Sequence, residues 1–546
     1  MREIITLQLG QQSNYLANHF WNTQESYFTY AANEESPVDH DVHFRPGIGS
    51  DGTETFMPRT VIYDLKGGFG TLRKINSLYE IDGDPSSSSL WSGRTVIQRQ
   101  QPIEASAYQE SLDTGQAPAE LTTSTVRYWS DFSRVFYHPR SIIQLSEYEL
   151  NSTVMPFEKW HMGEELFASL DKEHDLLDRD LRSFAEEADQ IQGLQVMTGI
   201  DDAWGGFAAR YMERLRDEYG KTPIWVFGAQ GPSRGLPREK RLLKLVNKAR
   251  TLAELNSQAS LIIPLALPER PLPSTVHLDS SSPWHVSALF AAALESVTLY
   301  TRLRTSDRVY SSSLGNMTDL LNVFGKQTIA NLEMSILETP KPHQNGTNGS
   351  TDDTNGGTNG LSGLNGRGEN IRSLHETRMD IGDESESGSQ QGAATLDIDL
   401  SSPQDLNLDI SGRRQKKRHI FSQVLADRGL ESLEPANNDR ELREQFGIRR
   451  RPKVHNYRSR VAFPIIDSYP KIFRDSYGHP VRENISIKTA LSTDSTVTDK
   501  IKAMRNNVVR SIGVEDRETI GNELAEIADS YKEGWSSDSD EDDDDE

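Results

Sequence analysis

The chain has 546 residues, 35 % of them hydrophobic, and a formal charge of −23. That acidic balance argues against nucleic-acid binding through a basic surface, and the absence of cysteine excludes disulfides, thiol nucleophiles and cysteine-based zinc sites. The length allows two or three domains, and the low apolar fraction places part of it outside any packed core.

Ile4-Ile5-Thr6-Leu7-Gln8-Leu9 reads as a strand that stops at Gly10. Ser13 or Asn14 is then placed to cap a helix whose apolar face is Tyr15, Leu16, His19 and Phe20. Strand, glycine turn and helix open a doubly wound α/β unit. Thr60-Val61-Ile62-Tyr63 predicts a second strand, ending at Asp64 and the Gly67-Gly68-Phe69-Gly70 turn. From about 75 to 150 the pattern weakens into a long insert. It carries an aromatic and basic cluster: Tyr128, Trp129, Phe132, Arg134, Phe136, Tyr137, His138 and Arg140. The cluster fits a small element docked on the core or, because aromatics with arginine favour interfaces, a partner-binding surface.

From Met162 onward, Leu166, Phe167, Leu170, His174, Leu177, Leu181, Phe184 and Ala188 keep helical spacing. Leu194, Val196 and Thr198 alternate as a strand, and Trp204, Phe207, Ala208, Tyr211 and Leu215 share one helix face. Ile224-Trp225-Val226-Phe227 has the continuous apolar character of a buried parallel strand. Helices are predicted at 238–256, 284–303 and 316–338, with Leu261-Ile262-Ile263 as a strand. This succession predicts an α/β fold with a doubly wound parallel sheet flanked by helices over 1–340. The stretch Trp284 to Leu303 is the nearest to a membrane span, but His285, Glu295 and Arg302 interrupt it. The start of the chain, Met1-Arg2-Glu3, enters a strand pattern without a leader, so any organelle is expected to be met from the cytosolic side.

Residues 341–412 read as a disordered low-complexity linker, with Asn345-Gly346, Asn348-Gly349, Asn355-Gly356 and Asn359-Gly360. A C-terminal α+β region is expected over 413–533, including Val461–Phe473 and a helix near 515–532. An acidic tail fills 534–546, where Ser536, Ser537 and Ser539 suit an acid-directed kinase. The basic run Arg413 to Arg418 fits a solvated stretch, a nuclear signal or contact with anionic lipid at roughly 1 kcal/mol per residue.

The run Met1 to Ile5, then Gly10-Gln11-Gln12-Ser13-Asn14 ending at Phe20-Trp21, resembles the first strand, first phosphate loop and first helix of tubulin. Phe56-Met57-Pro58-Arg59-Thr60-Val61-Ile62-Tyr63-Asp64-Leu65 resembles its second strand, whose aspartate lies near the nucleotide and metal. Glu158-Lys159-Trp160-His161-Met162-Gly163-Glu164-Glu165-Leu166 is similar to the segment after its third loop. Together with Tyr128-Trp129-Ser130-Asp131-Phe132, His138-Pro139-Arg140-Ser141, Phe463-Pro464 and Tyr469-Pro470-Lys471-Ile472-Phe473, the pattern resembles the Misato family. That resemblance implies a tubulin-related protein of mitochondrial distribution and mitochondrial DNA inheritance. It also implies a vestigial nucleotide pocket at Gly10, Gln11, Asn14 and Asp64.

The tubulin phosphate loop G-G-G-T-G-S-G has no counterpart. The junction reads Thr198-Gly199-Ile200-Asp201-Asp202-Ala203-Trp204-Gly205-Gly206-Phe207, with two carboxylates and an indole where backbone N–H groups should meet phosphate. Two such charges about 4 Å from a phosphate would repel it by several kcal/mol. The first loop keeps Gly10, Gln11 and Asn14 but loses its second glycine; Asn151-Ser152-Thr153 is a poor third loop, and Gly315-Asn316-Met317-Thr318-Asp319 has the composition but not the spacing of tubulin's catalytic loop. Asp201 and Asp202 read either as helix N-terminal carboxylates or, with Asp64, as metal ligands. His19, His161 and His174 have no metal-ligand spacing, and no G-x-S-x-G or H-E-x-x-H occurs. The expectation is a non-catalytic protein without a cofactor, working through other proteins, cytoskeletal or at the mitochondrial surface, and through anionic membrane. The alternative is a divergent GTPase or GTP-binding filament subunit using Gln11, Asn14 and Asp64.

Overall fold

The side chains of strand β1 (Glu3–Leu9) divide by parity: Ile4 enters one hydrophobic layer, while Ile5, Leu7 and Leu9 enter another. The same alternation recurs in β4 (Thr60–Lys66), β6 (Ile191–Gly199), β7 (Ile224–Ala229) and β8 (Leu261–Leu265). Period-two strands buried on both faces require covering layers above and below. With β5 (Ile142–Glu149) they form one six-stranded sheet, ordered β5-β4-β1-β6-β7-β8, in which every pairing is parallel. The computed structural model describes residues 2–29, 35–48, 54–72, 103–268, 271–304, 312–323, 325–337, 396–401, 418–430, 453–511 and 513–532.

One face is covered by α1 (Gln11–Glu25), α7 (Pro283–Thr298) and a second, mixed sheet of β9 (Asn331–Leu337), β10 (Ile398–Asp399), β11 (Ile420–Arg428), β12 (Lys453–Ser459) and β13 (Ser486–Asp494). The other face is covered by α3 (Trp160–His174), α5 (Ala203–Glu218), α6 (Arg238–Gln258) and two C-terminal helices, α9 (Thr496–Val508) and α10 (Val514–Ser530). Smaller elements are the β2 (Phe44–Ile48) and β3 (Glu54–Pro58) hairpin, α2 (Ala107–Asp113), α4 (Arg182–Glu186) and α8 (Leu314–Leu321). The described residues within 2–337 and 396–532 belong to one compact unit, and both sheets contribute to one hydrophobic cluster.

The polar interruptions of the 284–303 stretch are built into that core. Glu295 on α7 accepts from Arg302 at 2.9 Å, from the Tyr27 hydroxyl at 3.0 Å, and from Arg428 at the end of β11. All three charged side chains are fully buried. Burial pushes the Glu295 carboxyl up, but Arg428 and Arg302 outweigh it and hold the group below the usual carboxylate range. Arg428 also reaches Tyr27 at 2.7 Å and the Val461 and Ala462 carbonyls at 3.0 and 2.8 Å.

Several expectations change. The first helix starts at Gln11, with Gly10 at its N-cap and no side-chain cap, so Ser13 and Asn14 lie inside it. The long helix expected from Met162 breaks after His174, where Asp175 adopts φ 45°; a π-helical turn (Leu177–Leu181) and α4 follow. Residues 316–338 are not one helix. Helix α8 stops at Leu321, and Leu332, Met334 and Ile336 alternate in β9. Strand β5 lies where an insert was expected, and the aromatic cluster beside it is docked: Trp129, Phe132 and Tyr137 are buried, Phe136 is exposed. The rest of that insert (73–102), the linker apart from 396–401, residues 413–417 and the acidic tail with its serines lie outside the described residues. Arg418 is an internal ion-pair partner, contacting Asp494 at 2.8 Å and Glu333. No helix among the described residues is long and apolar enough to cross a membrane.

Candidate functional site

In an open parallel sheet, ligands sit beyond the C-terminal strand ends where the strand order reverses. Here that point lies between β1 and β6, and the four residues singled out by sequence meet beside it. Gly10 ends β1 with φ 85°, a left-handed conformation that favours glycine. Gln11 donates to Asp64 Oδ2 at 3.1 Å and to the Gly68 carbonyl at 2.7 Å. Asn14 donates to the same Oδ2 at 2.8 Å. The Trp129 indole N–H adds a third donor at 3.3 Å, and the Leu65 N–H donates to Oδ1 at 2.8 Å. No cation is among these donors. Burial pushes the Asp64 carboxyl up to about 7, against the pull of its hydrogen bonds.

The phosphate side of the crevice is filled. A Cβ on Gly10 would overlap the Trp204 indole, which therefore lies against the backbone of the first loop. Phe157 meets that indole edge-on at 5.3 Å. Asp202 is the N-cap of α5 and accepts from the Trp204 N–H at 2.9 Å, so a first-turn donor that would face an anion serves a carboxylate of the same chain. The glycines left at this junction serve packing. A Cβ on Gly206 would overlap the Trp160 carbonyl of α3, one on Gly205 the Thr251 hydroxyl of α6, and one on Gly199 would come within 2.7 Å of Asp202 Oδ1.

The charge argument drawn from sequence is corrected by this geometry. Burial, followed by the field of Asp201, pushes the Asp202 carboxyl up to about 7. Asp201 accepts from Lys244 at 2.8 Å and from the Gly231 N–H at 3.0 Å. The crevice is therefore closed by volume, an indole and tightly packed helices, more than by bare negative charge. Asn151 follows β5 in a left-handed conformation (φ 58°), and Gly315 to Asp319 lies within α8. No group of three His, Asp or Glu side chains suited to a metal occurs among the described residues. Trp129 and Lys244 were not expected at the site. The sequence marked Trp129 only as one of an aromatic cluster, and Lys244 carried no signal beyond helical spacing.

A tubulin-domain family model matches residues 118–303, and a Misato Segment II tubulin-like domain model matches residues 2–114. Over the full length of both chains, the protein is 52 % identical to Protein dml-1 of Neurospora crassa and 46 % identical to Protein DML1 of Gibberella zeae. The chain belongs to the Misato family. A more distant member, Protein DML1 of Yarrowia lipolytica, is 28 % identical, again over both full chains. The matches to these relatives run through both the tubulin-like sheet and the C-terminal sheet of this Misato-family chain.

Proposed function

We propose that this Misato-family chain is a non-hydrolysing tubulin-related protein that works by contact, in the partitioning and distribution of mitochondria and the inheritance of mitochondrial DNA. The observation that carries the non-catalytic part is the Trp204 indole lying against Gly10, where a triphosphate needs open backbone. The Asp202 cap on α5 supports it. The mitochondrial part is supported by family membership alone, since a fold by itself names no function. In this reading the protein acts at the outer face of the mitochondrion and in the cytoplasm, on other proteins and on anionic membrane.

Isothermal titration of the full chain with GTP and magnesium is expected to give no saturable heat. Micromolar binding that disappears in Gln11→Ala would overturn the non-catalytic reading in favour of a divergent GTPase, and nucleotide-dependent filaments by light scattering would favour a polymer subunit. Depletion in cells is expected to disturb mitochondrial spread and mitochondrial DNA content; normal values of both would sink the mitochondrial assignment.

A further inference from the structure

Beside the closed crevice, the segments following β6, β7 and β8 enclose a second cleft with α6, lined among others by Asp201, Gln230, Gly231, Ser233, Lys244 and Lys248. About 30 Å³ of it admits water-sized occupants, room for about two waters or the terminal oxygens of one oxyanion. Lys248 is buried and donates to Gln230 Oε1 at 2.6 Å, while Lys244 is held by Asp201. Lys244, Lys248 and Asp201 thus meet in the lining, with Asp201 the carboxylate among them. Gln230 Nε2 is a buried donor without a hydrogen-bond partner, which native interiors rarely tolerate unless something else fills the place, and Asp201 Oδ1 is a buried acceptor that only a water or a protonated phosphate oxygen could fill.

The cations continue outward in a row. Arg238, Arg241, Lys244 and Lys248 follow one another at spacings of three, three and four along α6, so they share one helix face running from solvent into the cleft. Arg234 lies exposed in the preceding loop, next to Ser233 of the lining. Arg234, Arg238 and Arg241 are exposed and form no ion pair among the described residues, in a chain whose overall charge is −23. This arrangement works against the helix. Like charges at these spacings repel, and Arg238 and Arg241 in the first turn, where Lys240 is paired with Glu158, oppose the helix dipole. Where a sequence breaks local rules without a structural gain, a functional site is the expected reason. An anion held in the cleft would relieve both costs.

We propose that the cleft beyond β6, β7 and β8 binds a phosphate group of a phosphorylated ligand. Lys244 and Lys248 take its oxygens, and Arg234, Arg238 and Arg241 meet further phosphates of the same molecule outside. The small interior sets this division: one phosphate inside, the remainder on the rim. A polyphosphorylated headgroup, soluble or carried by a lipid, has that form. The cleft adjoins the first loop: Gln12 of that loop and Lys244 both stand against Gly231 of the lining.

The full chain is titrated calorimetrically with inositol trisphosphate and with inorganic phosphate, and sedimented with phosphatidylcholine vesicles with and without phosphatidylinositol bisphosphate. Saturable binding of inositol trisphosphate is expected, displaced by excess inorganic phosphate. Affinity is expected to fall tenfold or more in Lys248→Met and in the triple variant Arg234→Glu, Arg238→Glu, Arg241→Glu, whose exposed positions leave folding intact. Capture by bisphosphate-containing vesicles assigns the ligand to a lipid headgroup; binding in calorimetry without capture assigns it to a soluble phosphate ester. The proposal is overturned by the absence of both signals, or by binding that the triple variant leaves unchanged. It is equally overturned by the same loss in a control triple, Lys221→Glu, Lys326→Glu, Lys453→Glu, which would reduce the effect to net charge.

Discussion

Asp64 and Glu295 are both fully buried carboxylates with several hydrogen-bond donors, yet burial wins at one and attraction at the other. The Asp64 donors are Gln11, Asn14, Trp129 and a backbone N–H, all neutral. Glu295 is met by two guanidinium groups. A carboxylate set into the core brings its own cations, whereas the one beside the crevice has only dipoles. The first arrangement neutralises its charge within the core, and the second holds its carboxyl by neutral hydrogen bonds alone.

Removing a cation from the Glu295 cluster should do the most damage. Arg428→Ala leaves a buried carboxylate with one cationic partner, Arg302, and is expected to cost about 3–5 kcal/mol in chemical denaturation. A loss under about 1 kcal/mol would erase the contrast between the two regions. The pH response should have opposite signs. The folded chain holds a proton on Asp64 that the unfolded chain releases near 3.8, so this group makes stability fall as pH rises from about 4 to about 7. At about 1.4 kcal/mol per pKa unit, the full effect is about 4 kcal/mol, and Asp64→Asn should flatten the denaturation profile across that window, leaving the similar share of Asp202. Glu295, whose folded pKa is depressed, contributes stability above its unfolded value of 4.5 and loses it as pH drops through the folded value. The smallest expected effect is a coupling. Gly10→Ala meets the Trp204 indole, so it should be milder by about 0.5–3 kcal/mol in a Trp204→Ala background. Strict additivity would show that the indole does not close the crevice.

The elements legible in sequence were those whose burial is simplest. Strands β1, β7 and β8 are apolar runs between turn residues, whereas Gln11, Asn14 and Asp64 were placed together by the resemblance to tubulin and by no local pattern. Strand β5 was hidden because it is an edge strand with much of its length exposed. Helix α9 went unread although Val497, Ile501, Met504 and Val508 keep helical spacing; its polar content matches the loops around it. The sequence put an indole at the phosphate junction but gave no direction for it. That direction depends on how closely α3 and α5 approach through Gly163 and Gly206, a tertiary fact that no local pattern carries.

The contact between Tyr27 and Arg428 joins the first turn of the molecule's history to its last third. During synthesis, Tyr27 and Glu295 emerge before β11, so their polar cluster waits for Arg428, 401 positions after Tyr27 and 133 after Glu295. Until it arrives, one side of α7 has no cover, and a fragment ending near residue 340 is expected to stain with hydrophobic dye and aggregate. The mature protein is thus completed from its far end.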